Sequence, residues 1–285
     1  MAKPTSFLLV GLPRAGVPQL LEALEQHRDT LVEIGVRLPA RSADEAFRAA
    51  VELRREHRAW ALRRKDVEGT WAEICRRALK HRDTVVVGHE LLAGAAADEI
   101  ALLVDGLAGT KVHVVVVVAA PDPLVGLVPS ELDLGDVLTR WEAAVGSPDR
   151  LHVLVADRGP AGAWQALGDL VGFDADELPL PGPGPSGQLD AHTLGLLAES
   201  TAALLDHDEL AELAGLWAKQ VAGGGYDVRG DLGALSPAPP SGDVPLSVLR
   251  GALAETVAEV GRLREQVREL ELSGAARRPR RRSAW

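Results

Sequence analysis

The run from Phe7 to Leu21 constrains the fold most, because it passes from one kind of structure to another within a short stretch. The apolar residues Phe7–Val10 predict a buried strand, and the apolar spacing after Pro18 predicts an amphipathic helix. Between them lies the turn Gly11-Leu-Pro-Arg-Ala-Gly16. Backbone N–H groups in such a turn, together with the helix N-terminus, are suited to hold an anion. Val17 and Pro18 stand where a Walker A loop needs Lys and Ser or Thr, which excludes a P-loop kinase or NTPase.

Further apolar runs alternate with helical patterns along the first 222 residues. Continuous Val and Leu runs without polar alternation are typical of parallel strands that are covered on both faces. We predict strands near residues 6–11, 84–88, 112–118 and 151–156. We predict helices near residues 18–28, 43–58, 67–80, 93–108, 134–145, 161–172 and 190–220. This order predicts an α/β domain over residues 1–222, a three-layer α/β/α sandwich with a central parallel sheet.

The rest of the chain divides into a Gly/Pro-rich linker (223–243), a heptad-patterned helix (244–273) and an Arg-rich tail (274–285). Within the helix, apolar residues and one Thr follow one another from Leu246 to Leu270 at spacings that alternate between three and four. That spacing is typical of a coiled coil, so residues 246–270 indicate a homodimer. The alternative is a helix that packs this stripe on its own domain.

Charge, cysteine content and hydropathy exclude several protein classes. The net charge is −10, yet five arginines lie within residues 277–282, so the tail is predicted to be disordered and able to contact nucleic acid, anionic lipid or an acidic surface. A pI near 5.3 and the lack of a basic stripe argue against specific nucleic-acid binding. The single Cys75 is interpreted as a buried structural thiol. Since no apolar run has the length of a membrane helix and no signal peptide is indicated, we expect a cytoplasmic protein that is not transmembrane.

The turn at residues 11–16, with its cation inside the loop, resembles the 5′-phosphosulfate loop of PAPS-dependent sulfotransferases. The chain is most similar to the sulfotransferase-like family that is common in high-GC actinobacteria, over roughly residues 5–220. Three later segments carry the same resemblance: Val85–Leu92, Lys111–Ser130 and Arg150–Asp157. The resemblance implies a P-loop fold, PAPS as donor, PAP as product, and no metal.

The resemblance also implies roles for individual residues. Arg14 corresponds to the cation that stabilises charge on the bridging oxygen, and Ser130 to the serine that binds the 3′-phosphate. The remaining cofactor contacts would come from the loop itself: Gly11, Pro13, Ala15, Gly16 and Val17. The alternative interpretation of the loop is a plain strand-to-helix turn with a solvated arginine.

His89 and Glu90 follow directly after a predicted strand, where the carboxyl ends of parallel strands open into a ligand crevice. His89 is therefore a candidate general base, with Glu90 orienting the imidazole or binding substrate. The alternative is that both residues cap the helix that follows. The other histidines lack the paired spacing of metal ligands, so we expect no metal site.

The sequence departs from the family pattern at functional positions. Val17 and Pro18 replace two hydroxyl residues, and no Lys or Arg occurs between Lys111 and Arg140, so the arginine for the 3′-phosphate is missing. Asp122 lies in that window instead, although Arg140 or Arg158 offers a substitute cation. Two functions follow from this. One is transfer of a sulfuryl group from PAPS to a small hydroxylated acceptor; the other is a non-catalytic binding or scaffold module dimerised through residues 246–270.

Overall fold

The computed structural model describes residues 3–13, 15–121, 133–157, 159–181 and 207–237. These residues belong to one compact unit, made of Met1–Gly184 and Leu205–Ala238. The predicted heptad helix and Arg-rich tail lie outside the described residues, as do Arg14, Asp122, Ser130 and Arg158.

The described chain has a central sheet of six parallel strands, which confirms the predicted α/β class and parallel sheet. The strands are β1 (Thr5–Gly11), β2 (Val36–Arg37), β3 (Thr84–Gly88), β4 (Lys111–Ala119), β5 (Leu151–Ala156) and β6 (Asp227–Arg229). Their order across the sheet is β2-β3-β1-β4-β5-β6. Every neighbouring pair is parallel, and β1 lies in the middle between β3 and β4.

Helices flank this sheet. They are α1 (Val17–Gln26), α2 (Arg28–Glu33), α3 (Ala43–Leu53), α4 (Arg64–Val67), α5 (Thr70–Ala78), α6 (Ala97–Gly106), α7 (Leu134–Val145), α8 (Pro160–Val171) and α9 (His207–Gly223). The connection through α1 runs along the sheet in the opposite direction to that through α6, so right-handed crossovers place these helices on opposite faces. In agreement, α1 packs on α8, whereas α7 packs on both α6 and α9. This is the layering of an α/β/α sandwich.

The core explains why the strands form where the apolar runs predict them. Leu8, Leu9 and Val10 of β1 and the valines 114–118 of β4 are completely buried, because these central strands are covered on both faces. Predicted and observed bounds agree for β1, β3, β4 and β5 to within one residue at each end. Cys75 lies on α5 and is buried; burial raises the pKa of its thiol to about 12, so the thiol stays protonated.

Two short edge strands differ from the prediction. Strand β2 is two residues long and β6 three, too short for an apolar run to stand out. Strand β6 also corrects the domain boundary at residue 222, because it pairs with β5 inside the predicted 223–243 linker. A 3₁₀ helix, Leu232–Leu235, follows it and buries Leu235. The sheet domain therefore continues past residue 230. Among the described helices, none is long and apolar enough to cross a membrane.

Candidate functional site

The turn between β1 and α1 lies at the carboxyl edge of the sheet, where ligands bind in open α/β folds. The N–H of Leu12 donates to the carbonyl oxygen of Val117 on β4 (3.1 Å), and the N–H of Ala15 donates to the carbonyl oxygen of Leu12 (3.1 Å). Gly11 has no room for a side chain, since a Cβ would lie 2.8 Å from the Val117 oxygen. A backbone hydrogen bond therefore holds the turn against β4.

Helix α1 begins with an N-terminus that no side chain caps. Its N-cap, Gly16, has a left-handed φ of 94°, which glycine adopts without strain. The side chains of Leu12, Ala15 and Val17 point into the core and are buried. Because Pro18 lacks an N–H, the first helical turn offers the N–H groups of Val17 and Gln19. Of the loop residues predicted to contact the cofactor, Val17 keeps a free helix-terminal N–H, whereas the N–H of Ala15 is already donated to Leu12. Pro13 is exposed at the tip of the turn.

The N-terminus of α8 lies against the N-terminus of α1. The sequence did not predict this contact. Pro160 is the first residue of α8, and its Cβ lies 3.4 Å from where a Cβ on Gly16 would be. Gly159, the N-cap of α8, again has no side-chain cap. Two positive helix-dipole ends therefore lie side by side at the carboxyl edge, an arrangement that favours an anion there. The signal in the sequence was the Gly159-Pro160 step, which two residues separate from the apolar run of β5.

His89 lies at the end of β3, the strand next to β1. Gly88 is in register with Leu9, so His89 lies about one strand spacing (~4.8 Å) from the end of β1. The Nδ1 atom of His89 accepts a hydrogen bond from the N–H of Leu91 (3.2 Å) and caps a 3₁₀ helix, Glu90–Gly94. Burial lowers the pKa of the imidazole to about 4, so the ring is neutral at pH 7. With Nδ1 accepting, the proton of the neutral ring is assigned to Nε2, which makes that atom a hydrogen-bond donor.

Glu90 begins the 3₁₀ helix beside this imidazole. Burial raises the pKa of its carboxyl above the usual value, and no opposite charge offsets that effect. No hydrogen bond or ion pair joins its carboxylate to another residue in the part of the chain that the structure describes. A half-buried carboxylate with a raised pKa, whose oxygen atoms accept no hydrogen bond from the described residues, has the properties of a proton acceptor.

Two guanidinium groups, from different helices, donate hydrogen bonds to backbone carbonyls of the 3₁₀ helix. Arg54, at the end of α3, donates from Nη1 to the carbonyl oxygen of Leu91 (3.0 Å). Arg140, on α7, donates from Nη2 to the carbonyl oxygen of Ala93 (3.1 Å). Arg140, which the sequence named as a substitute cation, therefore does approach the segment that carries His89 and Glu90. The role of Arg54 was not predicted, because its partner is a backbone atom that sequence spacing does not reveal.

A second polar cluster lies away from this edge, near the amino ends of the strands. His113 Nδ1 and His152 Nε2 are 2.8 Å apart, His152 Nδ1 lies 2.7 Å from Asp227 Oδ2, and Arg229 donates to the same oxygen. The two imidazoles are stacked, with centroids 5.1 Å apart. Within the described residues, neither this cluster nor any other brings together three His, Cys, Asp or Glu side chains suited to a metal ion.

Comparison with known proteins leaves the family of the chain open. No protein-family model matches the sequence, and no curated protein is significantly similar to it. The resemblance to sulfotransferase-like proteins therefore stays a prediction, and the chemistry of the carboxyl edge has to be argued from the residues themselves.

Proposed function

We propose that the protein transfers a sulfuryl group from PAPS to a small hydroxylated acceptor at the carboxyl edge of its sheet. The observation that supports this most directly is the meeting of two uncapped helix N-termini, those of α1 and α8, beside the strand end that carries His89 and Glu90. Such a meeting favours a multiply charged anion and needs no metal. Arg14 and Arg158 adjoin the two N-termini in sequence and would add positive charge.

The reaction we propose is an in-line displacement at sulfur. The acceptor oxygen forms a new bond to sulfur, and its proton passes to the Glu90 carboxylate. The bond between sulfur and the bridging phosphate oxygen breaks, and its electron pair leaves with the phosphate of PAP. Negative charge that develops on the bridging oxygen is stabilised by Arg14 and by the N–H groups of Val17 and Gln19 at the start of α1.

The structure favours roles for His89 and Glu90 that differ from those expected from the sequence. The sequence suggested His89 as the base, but its Nδ1 is occupied by the Leu91 N–H. We therefore propose that His89 donates its Nε2–H to a sulfuryl oxygen, and that Glu90 accepts the acceptor proton. The raised pKa of Glu90 makes it a stronger base than a solvated carboxylate, which suits this role.

Substitution of Glu90 tests the proposed base. We expect Glu90→Gln to lower acceptor-dependent release of PAP from PAPS by a factor on the order of 10²–10⁴, because a positioned base contributes that much. Binding of PAP should change less than about twofold, since the carboxylate does not contact the donor in this scheme. The exposed Glu22→Gln on α1 is the matched control. In the unchanged protein, the rate should rise with pH through the raised pKa of Glu90.

An unchanged rate in Glu90→Gln would reject Glu90 as the base. A rate that falls in step with PAP binding would instead place Glu90 in the donor site, which also contradicts the scheme.

The second candidate function is a non-catalytic binding or scaffold module. It is favoured by the apolar character of the turn, where Leu12, Ala15 and Val17 are buried and offer no hydroxyl group to a phosphate. In that case residues 246–270 would form the dimer seam. The two functions differ in one measurable property, since a scaffold releases no PAP from PAPS with any acceptor.

A further inference from the structure

The loop between α3 and α4 presents an exposed tryptophan next to the proposed site. Trp60 is 45 % exposed, whereas the four other described tryptophans are at most 7 % exposed. Its ring stands edge-on against Phe47 of α3, with centroids 5.1 Å apart and planes at 87°. Phe47 in turn contacts the imidazole of His89, with centroids 5.7 Å apart. We call Phe47 and Trp60 the aromatic platform; it extends from His89 to solvent.

The loop that carries Trp60 is ordered by its own backbone. The N–H of Glu56 donates to the carbonyl oxygen of Val51 (3.1 Å), and the N–H of Leu62 donates to that of His57 (2.8 Å). Arg55 and Ala61 have left-handed φ values of 55° and 53°, the two described non-glycine residues that do. Such conformations are unfavourable for side chains with a Cβ and are concentrated at binding sites.

The same stretch is the most basic part of the described chain. Residues 54–65 contain six Lys or Arg against one Glu, a net charge of +5 in a protein whose net charge is −10. Four of these cations have an acidic partner: Arg54, Arg55, Arg63 and Arg64. The exposed Arg58 and Lys65 have no ion pair among the described residues. Arg58 and Lys65 lie two and five residues from Trp60 in the sequence, so a negatively charged ligand on the aromatic platform would be attracted to this segment.

We propose that the aromatic platform is the acceptor subsite, and that the acceptor is a small aromatic hydroxyl compound that carries a negatively charged substituent. The ring packs against Trp60 and Phe47, the anionic substituent faces Arg58 and Lys65, and the hydroxyl group points towards Glu90. This assignment of the platform to the acceptor rests on the proposed function. The proposed contacts rest on an exposed ring, a loop held by its own hydrogen bonds and two cations that form no ion pair with the described residues.

Calorimetric titration with 4-hydroxybenzoate tests the subsite in the full chain. We expect Trp60→Ala to raise Kd about tenfold, the size expected for loss of one aromatic contact, and Trp60→Phe to raise it less than about threefold. Arg58→Glu should raise Kd about threefold or more, with the largest effect at low salt. Two matched controls on α9, Leu216→Ala (49 % exposed) and Lys219→Glu, should leave Kd unchanged.

Two further ligands separate the contributions of ring and charge. Cyclohexanecarboxylate keeps the charge without the aromatic face, and phenol keeps the ring without the charge. Both should bind at least about fivefold more weakly than 4-hydroxybenzoate. Equal binding of cyclohexanecarboxylate, or unchanged binding in Trp60→Ala, would overturn the aromatic subsite. Binding of phenol as tight as that of 4-hydroxybenzoate would overturn the proposal that the acceptor carries an anionic substituent.

Titration of the same samples with adenosine 3′,5′-bisphosphate separates failure of the subsite from failure of the proposed function. Bisphosphate binding without 4-hydroxybenzoate binding would overturn the subsite and leave sulfuryl transfer standing. Binding of 4-hydroxybenzoate without the bisphosphate would support an anionic aromatic site but reject PAPS as the donor.

Discussion

At the scale of single residues, the site depends on close approach between the ends of strands. Gly88 ends β3, and a Cβ placed there would lie 1.8 Å from the carbonyl oxygen of Leu9 on β1. No rotation of a side chain relieves such a contact, because the backbone fixes the position of a Cβ and the Leu9 oxygen belongs to the backbone. Glycine at this position is what lets His89 follow the strand so close to the β1–α1 turn.

Gly88→Ala should therefore destabilise the fold, by about 3 kcal/mol, the upper range for overpacking in a core. Urea unfolding monitored by circular dichroism measures the change. Gly162→Ala is the matched control, because a Cβ at residue 162 of α8 would meet nothing within 4 Å. We expect it to gain about 0.5–1 kcal/mol from helix propensity. Equal stability of the two variants would contradict the backbone approach at β3.

The roles of individual residues in the site were the hardest part to predict from the sequence. The sequence placed His89 and Glu90 correctly after a strand, since apolar runs locate strand ends. It did not reveal which nitrogen of His89 is occupied, because that depends on a hydrogen bond to the Leu91 backbone. The aromatic contact from Phe47 to His89 joins residues far apart in sequence, and helical spacing alone does not predict it.

At the scale of elements, the long strands followed from continuous apolar runs and the helices from periodic spacing, whereas the edge strands of the sheet followed from neither. The run of valines in β4 identifies a central strand, because such a run is stable only when both faces are covered. The three residues of β6 contain a single apolar side chain and are held instead by polar contacts. Asp227 of β6 binds the imidazole of His152 on β5, which no short-range pattern encodes.

That histidine cluster makes stability depend on pH. Burial lowers the pKa of His113 to about 4 and also lowers the pKa of His152, for which Asp227 offsets part of the effect. The other charges facing the pair are Lys111, Asp149, Arg150 and Arg229. The fold thus favours the neutral rings, so their contribution is complete above the unfolded pKa near 6.5 and is lost as pH falls towards 4.

We expect the free energy of unfolding to fall between pH 6.5 and pH 4, each histidine contributing a slope of up to about 1.4 kcal/mol per pH unit. Urea unfolding at several pH values measures this slope. His113→Leu should reduce it, while the exposed His207→Leu should not. A slope that is the same in His113→Leu as in the unchanged protein would show that the cluster does not couple folding to protons.

At the scale of the whole molecule, charge is distributed unevenly around an acidic protein. The carboxyl edge combines two helix N-termini with the basic 54–65 segment, while the chain as a whole has a net charge of −10. Electrostatic attraction would then guide an anionic donor and acceptor to this edge and away from the rest of the surface. The fold class of such a molecule follows from the hydrophobic pattern, but the strand order and the meeting of α1 with α8 depend on the three-dimensional packing of distant segments.

The most direct test of the account is calorimetric titration of the full chain with adenosine 3′,5′-bisphosphate, with AMP as the ligand that lacks the 3′-phosphate. We expect a Kd on the order of micromolar for the bisphosphate and weaker binding of AMP. Arg14→Ala and Arg158→Ala should each weaken bisphosphate binding by about tenfold or more, the value of one charge-assisted contact, while the exposed Arg41→Ala should not. No detectable binding at millimolar bisphosphate, or equal binding of AMP, would contradict it.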